Sequence, residues 1–235
     1  MLYNKSIDKF FSEESMLDFS TMIYRIPALL FAITIHEYAH AQCADSMGDP
    51  TARYMGRMTF NPMAHLDPLG AILLVVAGFG WAKPVEINPS NFRNRREGIL
   101  KVSFAGPAAN LFLCFLAAFF MTFLNRFGLL SDGVYRFLLW MQLYNVWFAF
   151  FNLIPVPPFD GSRIFLLFLP EKLYFKLMKY ERYIMIALLA AVWMGLLDAP
   201  LYYLNNAVWD LLSAGTGYID RIAYSVYYAA AGTVV

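Results

Sequence analysis

Residues 33–40 read Ile-Thr-Ile-His-Glu-Tyr-Ala-His and contain the spacing H-E-x-x-H. On a helix, positions i and i+4 share one face, so the imidazoles of His36 and His40 can meet at one metal ion. Neutral imidazole nitrogen suits zinc, and zinc lowers the pKa of its water toward about 7. The neighbouring Glu37 is placed to take a proton from that water as general base. With 3 histidines and 7 glutamates in 235 residues, chance supplies this pattern in about one such chain per thousand. The bland alternative, a helix that happens to carry two satisfied histidines, is weakened by where the motif lies. It sits inside an apolar stretch, where ionisable residues are costly and functional by default.

A catalytic zinc usually takes three protein ligands and keeps one position open. The chain's two cysteines, Cys43 and Cys114, lie in apolar stretches 71 residues apart and cannot make a Cys-type site. The remaining histidine, His65, lies in a turn-rich NPMAHLDP segment, where a structural role in the loop outweighs contact with substrate or metal. Asp160 is the most suggestive acidic candidate. It follows the proline-broken stretch Pro155-Val156-Pro157-Pro158-Phe159, and irregular backbone at membrane depth is tolerated where protein buries it or a wet cavity lies beside it. An N-cap role for the following helix accounts for Asp160 equally well.

These residues need elements to position them. The chain is 60% hydrophobic and 15% charged, against about 45–50% and about 25% in soluble domains. That composition predicts an all-α polytopic membrane protein in contact with the lipid bilayer. Four segments reach the roughly 20 apolar residues of a bilayer span: Phe19–Met47, Val102–Leu124, Phe137–Ile154 and Tyr183–Leu204. Leu69–Trp81 is apolar but short, and reads as re-entrant or interfacial. The tail from Asn205 reads as an amphipathic or weakly inserted helix. No cleavable leader, internal repeat or appended soluble domain is expected. A net charge of +1 gives no nucleic-acid footprint.

Within the second span, Gly106 and Pro107 permit close packing, and Asn110 is suited to a hydrogen bond across helices; a part in substrate binding is the lesser alternative for these three. The aromatic-rich third span reads as lipid-facing and interfacial packing, with Gln142 and Asn145 as candidates to line a water path.

HEYAH in the first span and NLIPVPPFDG about 120 residues later together resemble the site-2 protease family of intramembrane zinc metalloproteases. GDPTARYMGRMTFNPMAHLDPLG, GWAKPVEINPSNFR and AGPAANL look like its short bacterial-type members. The resemblance spans most of the chain. It implies a single intramembrane metalloprotease domain over 1–235, with a core at about 19–170 and C-terminal helices at about 183–235. It implies one zinc per chain held by His36, His40 and Asp160, Glu37 as the base, and Asn152 binding the substrate strand or the transition state. The substrate would be a transmembrane protein, and the setting a bacterial plasma membrane.

Two rival readings remain at this level. A metal transporter or channel would carry polar residues to both sides of the site, whereas the polar motif residues here gather toward one face. A catalytically silent membrane scaffold would not need Glu37. Orientation follows from charge. If 69–81 does not cross, residues 48–101 and 163–182 lie on one side and hold 12 of the 18 basic residues, which makes that side cytoplasmic. Cysteines placed at Ser90 or Lys176 are therefore expected to resist labelling from outside intact cells. Strong labelling of either would mean that the orientation, or the re-entrant reading, is wrong.

Overall fold

A computed structural model describes residues 19–68, 70 and 82–167, with scattered positions between 179 and 210. Among these residues the regular structure is helical, and the one β interaction is an isolated antiparallel bridge between Leu66 and Ala82. The α-helices, in chain order, are α1 (Phe19–Ser46), α2 (Thr51–Tyr54), α3 (Arg95–Arg126), α4 (Asp132–Leu153) and α5 (Asp160–Leu166). Short 3-10 turns occur at Pro62–Ala64 and Pro89–Asn91. α3 is the one described helix long and apolar enough to cross a membrane, with a mean hydropathy of 1.9 over its best 18 residues. α1 and α4 fall on the first and third expected spans. The expected re-entrant segment 69–81, the span at 183–204 and the tail from 205 lie outside the described residues, apart from isolated positions. The chain divides into two compact units, with the boundary between Asn110 and Leu111 inside α3.

In the first unit, α1 buries a single helical stripe. Ala28, Ala32, His36, His40 and Ala44 run along it, with Leu29, Ile33, Glu37 and Ala41 beside them. The chemistry-bearing side chains are thus on the face that packs, and the alanines among them let a neighbouring backbone come close. α1 ends at Gly48, whose φ of +107° suits glycine. The Gly48 N–H donates to Asp45 O and the Asp49 N–H to Ala44 O, a Schellman closure. α3 opens with Asn94 Oδ1 accepting the Glu97 N–H at 3.3 Å.

Among the described residues between α1 and α3, polar side chains add to the backbone bonds in holding the chain. The buried Arg57 guanidinium donates to the carbonyls of Ala64, Lys83 and Pro84. His65, also fully buried, meets Thr59 O at 2.8 Å, and its own carbonyl accepts the Lys83 N–H. This is the structural loop role expected of it. Asp49 ties the end of α1 to the second 3-10 turn. Its carboxylate accepts from the Thr51 hydroxyl, the Asn91 amide at 2.8 Å and the Asn88 N–H at 2.7 Å.

In the second unit, Ser131 caps α4 and accepts the Val134 N–H. Cys114 and Val146 form a small core with Trp147 and Phe150 packed on it. α4 stops at Leu153, just ahead of Pro155, and α5 starts at Asp160. A Cβ on Gly161 would lie 2.3 Å from Leu153 O, so only glycine lets the first turn of α5 press against the end of α4.

Asp49 yields a pH-signed prediction. Burial opposes its ionised form, but the hydrogen bonds it accepts outweigh this and hold the carboxyl below its ordinary value of 3.8. A depressed carboxyl stabilises the fold above its ordinary pKa, and that contribution is lost as pH falls through the folded value. Asp49→Ala is therefore expected to cost about 2–3 kcal/mol near neutrality. Denaturation of parent and variant in detergent should show the gap closing only in acid, below the ordinary value. A gap that is absent at neutral pH would contradict this role.

Candidate metal centre

His36 and His40 stand one turn apart on the buried stripe of α1, with ring centroids 4.6 Å apart and planes at 84°. Their Nε2 atoms approach to 3.0 Å. The opposite nitrogens are each held by an oxygen. His36 Nδ1 meets Asn110 Oδ1 at 2.6 Å, and His40 Nδ1 meets the Val102 carbonyl at 2.7 Å. Both oxygens can only accept, so each Nδ1 carries the hydrogen. In the neutral rings this leaves a lone pair on each Nε2, and the two atoms are close enough to share one ion.

That arrangement fits zinc. Two nitrogens at about 2.0–2.1 Å from a tetrahedral zinc are separated by roughly 3.3 Å, close to the observed 3.0 Å. Oxygen partners on the outer nitrogens are what metal-ligating histidines ordinarily have. The backbone of α3 closes over the pair at Gly106. A Cβ there would lie 2.5 Å from His40 Nε2 and 2.6 Å from His36 Cε1. Glu37, buried beside them, accepts the Val85 N–H on Oε2 at 2.8 Å. One carboxylate oxygen is thereby tied to the 82–88 segment.

Comparison with known proteins bears on the same conclusion. The chain is 38% identical over 214 residues to "Putative zinc metalloprotease YwhC" of Bacillus subtilis (strain 168), a match covering 88% of this chain and 94% of that protein. Residues 127–192 match the model of Peptidase family M50. The chain belongs to peptidase family M50.

A more distant M50 relative is "Putative zinc metalloprotease Rip2" of Mycolicibacterium smegmatis (strain ATCC 700084 / mc(2)155). It is 29% identical over 142 residues, covering 58% of this chain and 53% of that protein. Its namesake in Mycobacterium tuberculosis (strain ATCC 25618 / H37Rv) is 32% identical over 144 residues, with the same coverage. No solved structure matches the chain. Membership of M50, the site-2 protease family, makes the chain a zinc metalloendopeptidase and a membrane protein that acts on protein substrates. It removes the transporter and scaffold readings.

The second unit carries the other expected site residues of this M50 chain. Asp160 is the first residue of α5; Phe159 occupies the cap position, and no side chain caps the helix. The N-cap alternative for Asp160 is therefore not what the backbone adopts. Asn152, expected at the substrate, donates its amide to Phe148 O at 2.9 Å within α4. Gln142 and Asn145, the candidates for a water path, are buried in α4. Asn145 donates to Met141 O, and Gln142 Nε2 approaches Met121 Sδ at 3.6 Å.

Sequence reasoning did not find the backbone groups that hold His40 and Glu37. Val102 O and the Val85 N–H are backbone groups and leave no mark in residue type. Gly106 and Asn110 did leave one, since their i, i+4 spacing puts both on one face of α3.

Gly106→Ala is expected to push both imidazoles out of place. Overpacking of this kind costs about 1–3 kcal/mol, so zinc affinity should fall about tenfold or more. Competition with a graded chelator checks this. Affinity equal to the parent would show that α3 does not close on the histidine pair.

Proposed function

We propose that this M50 peptidase hydrolyses a peptide bond within or beside a transmembrane segment of a membrane-protein substrate. The supporting observation is the convergence of the His36 and His40 Nε2 atoms at 3.0 Å on a helix whose flanks are apolar. A hydrolytic centre among apolar spans favours substrates that are themselves in the bilayer. The enzyme is read as a multi-pass protein of a bacterial plasma membrane. Its site opens toward the cytoplasmic side, because that side carries the basic excess and the hydrocarbon cannot supply water.

The roles are assigned as follows. His36 and His40 hold zinc through Nε2. Asp160 supplies the third ligand, since two histidines leave a catalytic zinc one protein donor short. The proline-broken turn before α5 and the close approach of Gly161 to the end of α4 support a defined placement for its carboxylate. Zinc, when bound, supplies Lewis-acid polarisation of the scissile carbonyl and acidifies the attacking water. Glu37 takes the proton from that water and returns it to the leaving amine. The Val85 N–H keeps one Glu37 oxygen in place, so the carboxylate presents its other oxygen in a defined direction. Asn152 is assigned to the substrate strand. These residues belong to one catalytic domain with its core at about 19–170.

Purified parent, Glu37→Gln and Asp160→Asn test these roles by zinc content together with cleavage of a reporter that contains a transmembrane segment. Glu37→Gln should keep about one zinc per chain and lose cleavage. Asp160→Asn should lose both zinc affinity and cleavage. Parent-level turnover by Glu37→Gln would overturn the mechanism, and parent-level zinc affinity in Asp160→Asn would remove Asp160 from the ligand set. Cleavage of soluble peptides with no cleavage of the membrane reporter would overturn the substrate class.

A further inference from the structure

We propose that Asn110 is a positioning residue for the metal centre, one that selects the tautomer of His36 able to bind a metal. The proposal rests on His36 and His40 being the zinc ligands. It concerns a residue that binds neither metal nor substrate.

Asn110 is fully buried in α3, the one described helix long and apolar enough to cross a membrane. A primary amide there is costly unless both of its ends are bonded. Both ends are bonded, and both reach the same turn of α1. Oδ1 meets His36 Nδ1 at 2.6 Å, and Nδ2 donates to the Ala32 carbonyl at 3.0 Å. Ala32 lies four residues before His36, so the amide spans one helical turn and grips it at two points.

The second grip gives the first its meaning. An asparagine amide can be turned over so that nitrogen and oxygen exchange places. Turned over here, Oδ1 would face the Ala32 carbonyl, acceptor against acceptor. The Ala32 bond therefore keeps Oδ1 toward His36. An oxygen at that position accepts only, so the hydrogen of the neutral ring resides on Nδ1 and Nε2 keeps its lone pair.

The other tautomer would behave differently. With its hydrogen on Nε2, His36 would donate to His40 Nε2, which lies 3.0 Å away. The two rings would then close on each other, and neither nitrogen would be presented to a metal. Asn110 thus decides between a self-bonded histidine pair and a metal-accepting one. His40 receives the same instruction from Val102 O, a backbone group that no side-chain substitution removes. Only the His36 half of the device is open to mutation.

A packing role predicts something else. Leucine shares the branched outline of asparagine but is larger and lacks the acceptor. If Asn110 merely filled space, Asn110→Leu would act through overpacking alone and leave the His36 tautomer unchanged, and Asn110→Asp, which brings an ionisable group into an apolar helix, would be harmful. Under the present proposal the order reverses, because a neutral carboxyl keeps an accepting oxygen at His36 Nδ1 and offers its hydroxyl to the Ala32 carbonyl in place of the amide N–H.

The test uses the full-length chain in detergent, in two measurements. The first is zinc affinity by chelator competition for the parent, Asn110→Leu, Asn110→Asp and a His36→Ala, His40→Ala double variant. Asn110→Leu should bind zinc about 10–100-fold more weakly, while Asn110→Asp stays near the parent. The second is the imidazole nitrogen NMR spectrum of the metal-free protein, at a pH where the rings are neutral. It is tractable because the chain has only 3 histidines. His36 should be the Nδ1–H tautomer in the parent and in Asn110→Asp, and a mixture in Asn110→Leu. A parent His36 that is mainly Nε2–H overturns the proposal even if no variant folds. So does an Asn110→Leu variant with parental zinc affinity, or an Asn110→Asp variant as weak as Asn110→Leu. Undiminished zinc in the double variant would instead overturn the assignment of the metal centre, and this proposal would fall with it.

Discussion

Two imidazole nitrogens 3.0 Å apart need something between them, either a shared proton or a cation that both lone pairs can reach. The first unit is organised around maintaining that arrangement. Alanines at 28, 32, 41 and 44 let other backbone come up to α1, and Gly106 lets α3 reach the rings themselves. The oxygens of Asn110 and Val102 then orient the rings from outside. In the proposed reading a metal takes that place, and the packing of α1 and the chemistry of the pair are then one requirement.

This explains why some of the fold was legible in the sequence. The pairing of His36 with His40 follows from helical periodicity alone, and the helix is there. Hydropathy located α1, α3 and α4, but it measures apolar depth and not where a helix begins. The second span, read from Val102, starts seven residues earlier at Arg95, because Asn94 caps a charged first turn. The third, read from Phe137, starts at Asp132 because Ser131 caps it. Capping residues, not apolar residues, set those ends.

The site was legible where side chains carry it and illegible where backbone does. His36 and Glu37 are singled out as candidates by type and spacing, and Asp160 by its place after the proline-broken stretch. Asn110 was half legible. A polar amide in an apolar helix had to bond across helices, but its partner could not be read until α1 and α3 were seen together. Asp160 had been open between ligand and cap, and α5 starts at Asp160 itself with Phe159 in the cap position, which decides against the cap. Val85 and Val102 looked like ordinary apolar residues because an N–H and a carbonyl are common to nearly every position.

The tether between Glu37 and Val85 also sets the tolerance of the chain to change. Position 85 contributes to the carboxylate only through its N–H, while its side chain is buried with Ala41 and Ala52. Isoleucine or leucine there would keep the N–H and an apolar contact. Proline alone among the residues would take the donor away, and the chain already has one at Pro84, a single position earlier. A shift of register by one residue in this short stretch would therefore silence the donor while leaving the composition of the loop unchanged. Insertions and deletions between Ala82 and Asn88 should be far less forgiving than substitutions.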